Sequence, residues 1–167
     1  CELLTRAYRS NQYRGRAEVM KSWLAETGTE GLIALSGAHH GEVGQALAAG
    51  RQDEAKRLAR GWAALFPDRY YLEVQRLGPQ AMTSGAAAVP VETHVARALQ
   101  LATELGLPAV ATHPVQFLRP ADFRAHEARV CISEGYILSD QRRPRRFVTG
   151  QYFKTQAEMQ ALFADLP

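Results

Sequence analysis

The chain has 167 residues, 46% of them hydrophobic and 22% charged, with a formal net charge of +3, which is the make-up of an ordinary globular domain able to build a core. No run approaches the roughly 20 apolar residues of a membrane helix, the N-terminus lacks a charged-then-apolar leader pattern, and Cys1 and Cys131 supply neither a disulfide framework nor a paired metal spacing. A membrane span and a secreted disulfide scaffold are thereby set aside, a cytoplasmic location is expected, and the mild basicity permits an anionic partner without requiring one.

Leu3, Leu4, Ala7 and Tyr8 share one helical face, and the polar cluster at Arg9 to Gln12 followed by Gly15 ends it. The chain opens on Cys1 and enters this helix at once, as expected of a piece of a longer polypeptide. Val19, Met20, Trp23 and Leu24 mark a second helix that stops at Thr27-Gly28-Thr29. Gly31 to Gly37 reads as a buried strand running into His39-His40. Two helices are expected next, Val43 to Ala49 and Asp53 to Leu65, the latter with Ala55, Leu58, Ala59, Trp62 and Leu65 inward.

Tyr70 to Leu77 alternates as a strand does and ends at Gly78-Pro79, and the alanine- and serine-rich stretch 80–90 reads as a surface loop. Val95, Ala98, Leu99 and Ala102 give the helical period over Val91 to Leu105, with Gly106 placed as its C-terminal cap. Pro108 to Thr112 is small and β-branched, a strand expected to be buried on both faces, and His113-Pro114 stops it because proline cannot donate to a ladder. Beyond Pro120 and Asp122, Phe123, His126, Val130 and Ile132 fall on one helical face, and Cys131 is expected to be a small core residue. After Gly135 the chain is irregular through Arg142-Arg143-Pro144-Arg145-Arg146, until Thr155 and Glu158 stand at capping-box spacing before a last helix, Gln156 to Phe163. Strands separated by helices imply a parallel sheet with helical cover, an α/β fold whose ligands collect at the C-terminal edge of the strands. His113 and Gln116 stand at that edge.

Ala111-Thr112-His113-Pro114-Val115-Gln116-Phe117 followed by Asp122-Phe123-Arg124-Ala125-His126-Glu127 resembles the end of the PHP (polymerase and histidinol phosphatase) domain found in bacterial DNA polymerase III alpha subunits. Gly31 to Gly37, Phe66 to Glu73 and Tyr152 to Phe163 carry the resemblance through nearly the whole chain. It implies a partial, irregular (β/α) barrel of mostly parallel strands covered by helices, with residues 1–135 the later part of the PHP domain and residues 136–167 a connecting segment leading towards the polymerase module. Open strand edges in such a partial barrel favour self-association.

Metal-binding members of the family carry a Ser-Gly-Cys motif where this chain has Ser36-Gly37-Ala38, and an Asp-x-His pair where it has Pro114 and Gln116. Leu77 replaces a histidine common in the family. Proline offers no side-chain donor, so the resemblance implies a degenerate metal site, no catalytic residues and no cofactor in this stretch. His39, His40 and His113 are the remaining candidate ligands, with loop or helix-cap roles for His39 and His40 and a hydrogen-bonded role for His126 as the competing readings. Glu73, in Tyr71-Leu72-Glu73-Val74-Gln75, is a candidate general base or, more simply, a strand carboxylate paired with a cation. Arg142, Arg143, Arg145 and Arg146 are candidates for contact with DNA or an acidic partner, or form a solvated loop.

Neither a phosphate-binding glycine loop nor a polymerase-type carboxylate cluster is present, so nucleotidyl transfer is not expected here. The resemblance implies a DNA-directed DNA polymerase as parent chain, with Mg ions and DNA bound elsewhere in it. For this segment it implies a non-catalytic scaffold whose partners are the remainder of the alpha subunit and the proofreading exonuclease. The alternative is a metal-dependent phosphoesterase or 3′–5′ exonuclease.

Overall fold

The computed structural model describes residues 1–77 and 90–166. Helix α1 (Glu2–Ser10) leads into a short antiparallel hairpin, β1 (Gln12–Tyr13) and β2 (Arg16–Ala17), then helix α2 (Lys21–Thr27). The core unit follows: β3 (Ala34–Leu35), a 3-10 turn (Ala38–His40), α3 (Glu42–Ala48), α4 (Gln52–Leu65), β4 (Tyr70–Gln75), α5 (Val91–Leu105) and β5 (Ala109–Thr112). A second 3-10 turn (Pro120–Asp122) opens α6 (Phe123–Glu134), and α7 (Gln156–Leu162) comes last.

The sheet is parallel throughout, in the order β3-β4-β5, with Ala34 opposite Tyr70 and Leu72 opposite Ala109. Parallel neighbours need a crossover between them, and the helices predicted between the strands provide it. Alternation along β4 sends Tyr70, Leu72 and Val74 to the face covered by α3, α4 and α5, where they join Val43, Leu47, Ala55, Ala59, Val95 and Leu101 in the core. Leu47, Leu72 and Leu101 are each 1% exposed, and burial of such side chains is worth about 1.5–3 kcal/mol apiece. Tyr71, Glu73 and Gln75 fall on the opposite, more polar face.

Several predicted elements are present with nearly the expected bounds: α3, α4, β4 and α5, the left-handed Gly106 cap at φ 64°, and α7 with its Thr155–Glu158 capping box. Cys131 is buried, and residues 136–155 hold no regular helix. Other expectations are corrected. The buried strand expected over Gly31–Gly37 shrinks to Ala34–Leu35, with Leu32, Ile33 and Leu35 43–67% exposed. The strand over 108–112 is half exposed, not buried on both faces. Among the described residues both are edge strands with one neighbour each, so apolar composition alone did not guarantee cover. The Arg9–Gly15 break is a hairpin turned by Arg14 (φ 49°) and Gly15 (φ 80°), and Ile132, expected inward on α6, is 83% exposed. The described strands form an open sheet and no closed barrel is seen among them. The expected strand end at Gly78-Pro79 and all of the 80–90 loop except Pro90 lie outside the described residues.

No helix of the described residues is long and apolar enough to cross a membrane.

Candidate functional site

The C-terminal edge of the sheet is assembled from three loops. After β3, Gly37 (φ 76°) and Ala38 (φ 44°) reverse the chain into the 3-10 turn and α3. The turn and helix lie too close for side chains at two points: a Cβ on Gly41 would sit 1.7 Å from the Ser36 carbonyl oxygen, and one on Gly44 1.8 Å from that of Ala38. The rings of His39 and His40 come within 3.9 Å of each other, and His39 meets His94 edge-on at 6.2 Å. His94 belongs to the first turn of α5 and is 6% exposed; burial, then the nearby His39 and Arg97, hold its pKa below the usual histidine value.

Glu73 is 8% exposed in the middle of β4. Its carboxylate accepts from the Thr112 hydroxyl at 2.5 Å and from the Gln75 amide at 3.0 Å, while its own backbone N–H donates to Ser36 Oγ at 2.9 Å. Among the described residues, neutral donors on the neighbouring strand and on β4 itself hold the carboxylate, in place of the cation that one reading expected. Such an arrangement holds the strands in register and leaves little room for a proton-transfer role.

His113 stands at the end of β5 as expected, but its ring is spanned by backbone. Nδ1 lies 2.8 Å from the carbonyl oxygen of Arg76 and Nε2 lies 2.8 Å from that of Gly150. Neither nitrogen turns a lone pair outward. Pro114 accepts through its carbonyl from the Gln151 side chain at 3.2 Å, and Gln116 uses its backbone N–H on Gln151. Ala38 is 1% exposed and offers only a methyl group. Among the described residues, no group of three or more His, Cys, Asp and Glu side chains converges in a way that could hold a metal ion. Ala38 and Pro114 carry no side-chain atom able to ligate a metal.

Arg76 was not anticipated. Strand alternation carries Arg76 on from Tyr70, Leu72 and Val74 to the core-facing side, a signal present in the sequence, and it is 8% exposed. Its guanidinium donates to Glu92 at 2.6 Å, to the Leu162 carbonyl at 3.0 Å and to both carboxylate oxygens of Asp165, and it lies 5.3 Å from the Phe163 ring centre. These bonds to two carboxylates raise the arginine pKa further and lower that of Asp165. The spacing of Ala98 and Val95 likewise placed His94 on the inner face of α5.

The arginine run folds back on its own carboxylates. Arg142 grips Asp140 with two bonds of 3.1 and 3.0 Å, Arg143 bonds Glu127 at 2.6 Å, and Arg146 reaches Glu134 at 3.1 Å. The Arg143–Glu127 pair is the sheltered one, at 12% and 20% exposure. His126, expected to be hydrogen-bonded, makes a long 3.4 Å contact to Arg129 through Nδ1, while Nε2 has no partner among the described residues. Its ring packs instead against Phe117 and Phe147.

A family model for the PHP domain matches residues 1–77. The chain is similar to proteins named DNA polymerase III subunit alpha: 47% identical over 167 residues to that of Neisseria meningitidis serogroup B, 44% over 166 residues to that of Pseudomonas aeruginosa, and 38% over 165 residues to that of Escherichia coli K12. Each alignment takes in 99% of this chain and 13–14% of the relative. The open α/β sheet agrees with a PHP-type architecture at the level of parallel strands and covering helices.

Proposed function

We propose that this PHP segment is a non-catalytic support within a DNA polymerase III alpha subunit, bracing the polymerase part of that polypeptide and docking the proofreading exonuclease. The observation that carries the reading is the donor set at the sheet's C-terminal edge. A methyl group stands at Ala38, proline at 114, and both nitrogens of His113 face backbone carbonyls. A metal-dependent hydrolase needs converging imidazoles and carboxylates with free lone pairs. DNA synthesis, its Mg ions and its cytoplasmic setting are assigned to the polypeptide as a whole.

Two measurements test this. Titrating the full-length polypeptide with zinc or manganese should give no stoichiometric binding attributable to this segment. Stoichiometric uptake, with phosphodiesterase activity lost when His39, His40 and His113 become alanine, would establish the hydrolase instead. Mixing the full-length polypeptide with the proofreading exonuclease, across a series of surface substitutions in this segment, should reveal positions that weaken binding; uniform affinity across the series counts against docking. The arginine run does not favour a DNA-binding reading, because Arg142, Arg143 and Arg146 are already paired within the chain.

A further inference from the structure

Residues 148–153 cross the loop that follows β5. The Gln116 N–H donates to the Gln151 carbonyl at 2.8 Å and the Phe153 N–H to the Phe117 carbonyl at 3.0 Å, with a parallel bridge between Phe117 and Tyr152. Gln151, 6% exposed, locks this crossing from within: its side chain donates to the Pro114 carbonyl and accepts from the Val148 N–H at 2.9 Å. Gly150 passes close to the end of β4, where a Cβ would come 3.1 Å from the Leu77 carbonyl oxygen. Farther on, α7 and Asp165 are tied to the guanidinium of Arg76.

Both attachments converge on one residue. The side chain of Arg76 holds the end of α7, and its carbonyl holds His113, whose other nitrogen reaches Gly150. We infer that Arg76 and His113 form a clasp with two unlike arms: the Arg76 side chain anchors α7 to the core, and His113 holds residues 148–153 as a releasable cover on the C-terminal edge of the sheet.

Residues 148–153 attach mostly through polar groups, whereas α7 seats Phe163 in the core with Met159, Leu162 and Leu166 packed beside it. Segments with few apolar contacts open at lower free energy than the core they rest on. The docking points include Pro114 and Gln116, so the closed cover occupies the loop that a ligand would have to use. This inference stands on the hydrogen-bond geometry and is independent of the docking role proposed above.

The test is native-state hydrogen exchange of the full-length polypeptide, read at the Gln116 and Phe153 amides. His113→Ala is expected to speed exchange there by about tenfold or more while amides of β4 and α5 keep their wild-type rates. His113→Gln, whose amide N–H can still donate to one of the two carbonyls, should give a smaller rise than His113→Ala, and Gln151→Ala should act on the same two amides. Acceleration spread equally over β4 and α5, or unchanged exchange at Gln116 and Phe153 in both His113→Ala and Gln151→Ala, overturns the clasp.

Discussion

Gly44 shows how little freedom the site's framework has. Its α-carbon hydrogen lies where any side chain would run into the Ala38 carbonyl, and a backbone oxygen cannot swing aside as a side chain can. Gly44→Ala is expected to destabilise the fold by about 1–3 kcal/mol, the usual penalty of overpacking, measured as a lowered denaturation midpoint. The neighbouring Ala38 holds a φ of 44° that non-glycine residues rarely adopt. Glu73 illustrates the same economy of space. Its type and strand position were legible in the sequence, whereas its partners were not, because Thr112 and Ser36 reach it from 39 and 37 residues away.

The arginine run separates by what each residue touches. Arg143→Ala should lower stability by about 2 kcal/mol, since it leaves the sheltered Glu127 carboxylate without its charged donor. Arg142→Ala should cost clearly less than Arg143→Ala, because the Arg142 guanidinium is 88% exposed and the backbone N–H of residue 142 still donates to the Asp140 carboxylate. An additive loss of equal size at both positions would contradict this division. Strand β3 makes a different kind of prediction. Ile33 is 67% exposed beside an open parallel edge, a surface prone to pairing with other chains. Ile33→Lys should therefore reduce self-association, followed by light scattering, while changing stability by no more than about 0.5 kcal/mol. The period-two and period-3.6 patterns identified β4, α3, α4 and α5 because each has a covered face. They misjudged the cover of β3 and β5 because burial depends on neighbours that composition does not name.

For the molecule as a unit, the buried histidines predict an acid limit. His94 and His126 are 6% and 5% exposed, and burial, reinforced by Arg97 near the first and Arg129 beside the second, lowers both pKa values from 6.5. Below 6.5 the unfolded chain takes up protons that the folded rings resist, so stability is full above that pH and declines as the pH falls towards the folded pKa values. Urea midpoints measured from neutral to mildly acidic pH should drop accordingly, and His126→Phe, which keeps a ring between Phe117 and Phe147, should flatten the slope. A midpoint that rises on acidification would refute the assignment. The sequence was sufficient for the α/β class and the main helices, since periodicity and residue type are local properties carried by the chain itself. The folded coordinates alone supplied the Arg76 hub, the captured ring of His113 and the pairing of the arginines. Those depend on groups brought together from distant parts of the chain, and no local pattern encodes which of them will meet.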